Sequence, residues 1–358
     1  MDYENFKEKF VEDIKNRLYE QGVEVNVSLN KVDKLNESYE AINITPEGSN
    51  IGMNVSIDKF FDAFENGASY DEVIDKAMEV INKGLDDRPD FDLDSLMDYS
   101  VMKEKLVTEV VSAEVNKELL ENIPHKNIED MAVVYRFILK SDDDGRASIL
   151  VTNLILEKMG ITAEQLHKDA MENAPKLKPV EIRGMSEVIA EMMGPEKAQT
   201  MGIVPLEPEE EKIFVASVPD KVHGAGVIAY QDFMEKAAER AGGDFYILPS
   251  SLHELLIVPD NGEVDLKTLE AMVKDVNATQ VSPEDKLTDS VYHYDTKEKI
   301  FELGEKFVRR SIEKDKTKDK DKKPSVLEDL KAKKEEVAKA PKKEQINRSD
   351  KSKGGEAI

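Results

Sequence analysis

The run DFYILPSSLHELLIVPD, residues 244–260, gathers two hydroxyls, an imidazole and a carboxylate within five positions: Ser250, Ser251, His253 and Glu254. These are the groups of a hydrolytic site. A serine nucleophile needs a base within hydrogen-bond reach, an acid that orients the base, and donors for the oxyanion. It is commonly presented on a strand–elbow–helix turn. Here Pro249 precedes the serines and a second apolar run follows them, so no elbow helix is expected. Strand alternation through LHELLIVP would send His253 and Glu254 to opposite faces. The zinc pattern His-Glu-x-x-His is missing as well, because its second histidine position is Ile257. The run therefore reads as a β-hairpin with a polar or ligand-facing tip. A hydrolase using Ser250 or Ser251 with His253 is the alternative.

Other clusters carry less chemistry. Asp-Asp-Asp-Gly at 142–145 lacks the ligand spacing and late glutamate of a calcium loop, and reads as a tight turn. His-Gly-Ala-Gly at 223–226 precedes an expected strand, whereas a phosphate cradle relies on the helix that follows its glycines. It too reads as a hairpin turn. The histidines at 125, 167, 223, 253 and 293 show no paired ligand spacing, so neither a metal nor a cofactor is expected. Met185, Met192, Met193 and Met201 read as adaptable packing residues. The chain has no cysteine, which excludes thiol catalysis and a disulfide scaffold and fits a reducing compartment.

The elements that must position these groups are α and β in mixed order. Phe6, Phe10, Ile14 and Leu18 recur at fourfold spacing and predict a helix that Gly22 ends. VEVNVSLNKV, YEAINITPEG and NIGMNVSI alternate apolar and polar residues and predict a small antiparallel sheet. IDKFFDAFENG follows, and then a helix capped by Ser69 with Val73, Ala77, Val80 and Ile81 on its buried face. KEKLVTEVVSAEVNKELLENIPH carries an apolar face and ends before Pro124, which predicts a helix. MAVVYRFILKSDDDGRASILVTN predicts a hairpin. The helix after it is interrupted at Gly160 and restarts at Thr162. KIFVASV and GAGVIAY predict a second strand pair, QDFMEKAAERAGG a helix, FYILPSS and HELLIVPD a third pair, and DLKTLEAMVKDVN a helix. The expected fold is α+β: a small N-terminal α+β domain over 1–98, a main domain over 99–310 with two strand–strand–helix units, and a charged, mostly disordered tail over 311–358.

The net charge of −25 is unevenly distributed. Residues 311–358 hold 15 Lys/Arg against 11 Asp/Glu, so the remainder carries 35 against 64. An acidic body repels phosphate backbones, so direct nucleic-acid binding by it is not expected. From 313 the chain should be solvated, with a short helix in SVLEDLKAKKEEVAKA anchored by Leu327 and Leu330. That helix suits docking into a partner's groove. The first residues are acidic and lack a leader's apolar region, and no apolar run approaches the ~20 residues of a membrane span. A soluble cytoplasmic protein with no membrane partner is expected.

NKELLENIPHKNIEDMAVVYRFIL, ASILVTNLILEKMGITAEQLHKDAMENAPKL, DFYILPSSLHELLIVPD and MVKDVNATQVSPEDKLTDSVYHYD together resemble an uncharacterised bacterial family, the domain of unknown function 5688. The resemblance implies a cytosolic protein of gut Firmicutes associated with mobile genetic elements, and no established activity. Matched onto those motifs, Asn116, His125, Asp130, Asn153, Glu254, Asn277 and Gln280 become binding candidates. The leading expectation is a non-enzymatic binding or accessory protein with a protein partner. An acidic DNA mimic acting on a host defence protein is a second alternative.

Overall fold

In a computed structural model, residues 1–49, 52–86, 93–142, 145–249 and 251–322 are described. The chain divides into two units, Met1–Gly304 and Glu305–Ile358. The first unit begins with α1 (Tyr3–Glu20), followed by β1 (Val25–Lys34), β2 (Glu37–Pro46) and β3 (Met53–Ser56), which form a three-stranded antiparallel sheet. Then come α2 (Ile57–Glu65) and α3 (Tyr70–Asp86). Phe6, Phe10, Ile14 and Leu18 are all buried, as their spacing predicts. The helix stops before Gly22, whose φ of 73° suits a residue without a Cβ. At the start of α3, the Ser69 hydroxyl accepts from the Glu72 N–H while the Glu72 carboxylate accepts from the Ser69 N–H at 2.9 Å, a reciprocal capping box. The buried face of α3 differs at one position from expectation. Val80 is exposed, and Ile74 and Met78 are buried with Val73, Ala77 and Ile81. Val80 sits at the margin of the apolar stripe, whose centre lies toward Ile74.

Two short helices, α4 (Leu93–Met97) and α5 (Tyr99–Met102), lead into β4 (Leu106–Ser112). This strand replaces part of the expected helix over 103–125, of which only a 3₁₀ turn over Lys103–Lys105 and α6 (Lys117–Leu120) are helical. All seven residues of β4 are buried. A strand covered on both faces loses the period-two signal, and its residue choice, with Val107, Thr108, Val110 and Val111 β-branched, is the better guide. A four-stranded sheet forms around β6 (Met131–Asp142): β4 lies on one side, and β5 (Lys126–Ile128) and β7 (Gly145–Leu150) pair along the other. The hairpin expected around residues 142–145 is therefore present, although Asp143 and Asp144 lie outside the described residues. Next, α7 (Asn153–Met159) ends at Gly160 (φ 66°), and α8 (Ala163–Leu177) restarts with the Thr162 hydroxyl accepting from the Gln165 N–H.

The connector after α8 holds β8 (Glu181–Gly184), α9 (Met185–Met193) and α10 (Pro195–Thr200). It leads to β9 (Phe214–Ser217). The segment GAGVIAY, expected as a strand, is instead a 3₁₀ turn over Gly224–Ala229. Gly224 and Gly226 let it press against neighbouring backbone, where a strand would need side chains to pack. The remaining elements of this unit are α11 (Phe233–Ala241), β10 (Phe245–Leu248), β11 (Leu255–Pro259), α12 (Leu266–Thr279), β12 (Tyr292–Asp295) and β13 (Ile300–Leu303). The six strands pair antiparallel in the order β13-β12-β10-β11-β9-β8.

One buried cluster joins α1, α2, α3 and the three-stranded sheet. A larger one fills the space between the four- and six-stranded sheets, from Met102 to Tyr294, with Leu35 of the β1–β2 turn packed against it. The neighbouring Asn36 (φ 61°) fixes that turn. Its N–H donates to Asn116 Oδ1 at 2.7 Å and its Oδ1 accepts from Asn116 Nδ2 at 2.7 Å. Its own Nδ2 donates to the carbonyls of Glu284 and Lys286. The second unit begins within α13 (Gly304–Lys322), which extends beyond 313, where solvated coil is expected. Its lysines favour a helix, and no glycine or proline occurs between Gly304 and Pro324.

Candidate functional site

β10 and β11 pair as the sequence predicts, with Phe245 opposite Pro259 and Leu248 opposite Leu256. The connecting loop is gripped from two sides. On one side Leu252 N–H donates to the Asp285 carbonyl at 2.7 Å, and Ser251 bridges Lys286. On the other, Ala225 of the 3₁₀ turn donates its N–H to the Leu252 carbonyl. His253 is clamped between these walls. Its Nδ1 accepts from the His223 N–H at 3.3 Å, so the neutral ring carries its proton on Nε2, which faces Asp285 Oδ1 at 3.1 Å. The Ser251 hydroxyl accepts from the His253 backbone N–H at 3.2 Å, and Ser217 donates to the His253 carbonyl. Both ring nitrogens of His253 are thus engaged within the fold, and neither is turned to Ser251. Ser250 lies outside the described residues. β11 begins at Leu255, so His253 and Glu254 are separated by the loop rather than by strand alternation: His253 is half-buried and Glu254 is exposed.

Behind His253 a line of polar groups runs into the core. The His223 ring lies 5.6 Å from the His253 ring, centroid to centroid. Its Nε2 is 3.9 Å from the buried Glu109 carboxylate on β4. Arg136 on β6 donates from Nε to both Glu109 oxygens at 3.0 Å, and its Nη1 reaches the Ser148 hydroxyl on β7. His223 adopts a left-handed backbone (φ 53°), and its Nδ1 is buried without a hydrogen-bond partner. Burial lowers the His223 pKa, the positive Arg136 adds to the effect, and Glu109 opposes it. At Asp285 burial pushes the carboxyl up, but hydrogen bonds from Ser282 and His253 outweigh it and hold the group below the usual carboxylate range. This line can hold charge in place, running from the half-exposed His253 and Asp285 to the buried Glu109.

A pH dependence follows from His223. Its folded pKa lies below the ordinary value of 6.5, so the unfolded chain takes up the proton first. The stabilising contribution is complete above that value and is lost as pH falls below it. Thermal melts between pH 8 and pH 5 should show wild type losing stability more steeply than His223→Asn, a variant that tolerates the left-handed backbone. Parallel curves would contradict this.

The remaining candidates disperse. Asn116 holds Asn36, and Asp130 accepts from the hydroxyls of Ser290 (2.8 Å) and Tyr292. Asn277 Nδ2 donates to the Thr288 carbonyl at 2.9 Å and to Asp289 at 2.7 Å. These three converge on the segment from Asn277 to Tyr292 and fix it. His125 Nδ1 faces the Ile123 carbonyl, and Asn153 donates to the carbonyls of Asn122 and Glu121, so both brace the turn after α6. Gln280 is exposed at the end of α12. Leu327 and Leu330 lie outside the described residues. Sequence reading missed Glu109, Arg136 and Asp285. A lone glutamate inside the apolar run of β4 was the available signal, since a buried charge requires a partner.

A second feature was not foreseen. A cleft of about 950 Å³ lies between the end of α11, the start of β9 and α12. Its apolar lining includes Ile213, Leu248, Leu256, Val258 and Leu269, and Met272 beside them is 46% exposed. A larger depression of about 1180 Å³ near Lys15 and Tyr19 is lined mainly by polar and loop residues, so the cleft at α12 is the better apolar surface. Among the described residues, no group of three or more His, Asp or Glu is placed to hold a metal, and no helix is long and apolar enough to cross a membrane.

Among the described residues, fold and site define an α+β protein of three antiparallel sheets, with a histidine–carboxylate line that runs from the surface to the buried Glu109, and an apolar cleft. Over residues 3–296 the chain matches a family of unknown function (DUF5688), and it belongs to that family. Neither curated proteins nor solved structures gave a match.

Proposed function

We propose that the chain is a non-enzymatic binding protein whose partner surface is the cleft beside α12. The observation that carries this reading is the cleft itself: Met272 and Val264 are exposed and Ile213 and Leu256 half-buried, beside the covered Leu248, Val258 and Leu269. An apolar sheet face is normally covered by another layer, and an uncovered stretch of it is a natural contact surface. The engagement of His253 by Asp285 and His223 supports a scaffolding role for the polar hairpin in place of hydrolysis.

Met272→Asp tests the reading, because Met272 is exposed enough to change without emptying the core. Wild-type chain and variant would each be used for affinity purification from the native host, with quantitative mass spectrometry. A charge set into an apolar contact should reduce recovery of the specific partner by about tenfold or more. An unchanged partner set, or a hydrolytic activity abolished by Ser251→Ala, would overturn the proposal.

A further inference from the structure

Taking the cleft as the partner surface, we infer that its occupant is a cationic amphipathic peptide segment, with apolar anchors on one side and Lys or Arg on the other. The cleft is lined by five carboxylates (Glu209, Glu210, Glu211, Glu239 and Glu263) and two basic residues (Lys212 and Arg240). Both basic residues are engaged. Lys212 pairs with Glu263 at 3.0 Å. Arg240 donates to the Ile182 carbonyl at 3.1 and 3.3 Å, and its guanidinium lies over the Phe214 ring. Glu209, Glu210 and Glu239 stay exposed on the rim. An apolar floor with this rim complements a segment that carries both greasy anchors and positive charge, and it repels phosphate backbones and acidic peptides. The shape points the same way. A second cavity of about 440 Å³ shares Pro208, Glu239 and Arg240 with the cleft and continues toward Val180 and Ile182. The two neighbouring depressions offer an extended segment more contact than a compact small molecule could use.

The test is fluorescence anisotropy on the full chain with three labelled peptides of equal length: Leu/Lys amphipathic, Lys/Ser of equal charge, and Leu/Glu. The Leu/Lys peptide should bind at least about tenfold more tightly than either control. Its affinity should fall with added salt, as expected for charges at a solvated rim. Glu209→Lys, Glu210→Lys and Glu239→Lys combined should weaken it by about tenfold. Equal binding of the Lys/Ser peptide would reduce the effect to general attraction by an acidic surface and overturn the inference, as would indifference to the triple change. If that indifference coincides with loss of cellular partners in Met272→Asp, the cleft remains the contact surface and only the partner class falls. If Met272→Asp retains its partners, the cleft itself is rejected.

Discussion

Gly224→Ala is expected to lower the melting temperature by roughly 5 °C, the consequence of about 3 kcal/mol of overpacking in a unit of this size. A Cβ at this position would stand 2.3 Å from the His253 carbonyl oxygen and 2.1 Å from the Ser217 hydroxyl. The serine can rotate, but the carbonyl belongs to the backbone of the hairpin loop and cannot yield alone. The 3₁₀ turn must therefore move outward, and that stretches the His223 N–H contact to His253 and the Ala225 N–H contact to Leu252. Differential scanning calorimetry measures the loss, and hydrogen exchange of the Ala225 amide reports the separation. An unchanged melting temperature would mean that the turn does not press on the hairpin.

Glu109→Gln is the second large effect. The Glu109 side chain is 3% exposed, while that of Arg136 is 19% exposed, so removing the carboxylate charge strands a guanidinium with little water around it. Breaking such a pair costs on the order of 3 kcal/mol, somewhat less here because Arg136 retains partial solvation. The double change Glu109→Leu with Arg136→Met removes both charges together. It should be less destabilising than Glu109→Gln, because no charge is left without a partner. Chemical denaturation of wild type, Glu109→Gln, the double variant and its singles Glu109→Leu and Arg136→Met decides the point. A double variant as unstable as the sum of its singles would show that the ion pair is not the interaction at work. Loss of Glu109 also removes the charge that most raises the His223 pKa, so the acid-sensitive range of Glu109→Gln should shift further down.

Local features of this fold could be read from the chain because each is specified by residues a few positions apart. The fourfold stripe of α1, the Ser69–Glu72 capping box and the break at Gly160 before Thr162 are of this kind. So is the β10–β11 pairing, where two apolar runs flank a proline and small polar residues. β4 was read wrongly because burial on both faces removes alternation, leaving a run that also fits a helical face. GAGVIAY was read wrongly for a related reason: its composition suits a strand, whereas its glycines are needed for close backbone approach to Thr108 and His253.

The site divides along the same line. The sequence by itself determined that Ser251, His253 and Glu254 would stand at a hairpin tip, and that no elbow helix would present a serine. Only the tertiary structure decided what His253 does there. Its partners are Asp285, 32 positions later, and His223, 30 positions earlier, while Glu109 and Arg136 come from a different sheet. The cleft at α12 likewise depends on how far a helix covers a sheet face. Periodicity records which side of an element avoids water, but not which other element covers that side or how completely, because that is set by strand order and by contacts between residues remote in the chain.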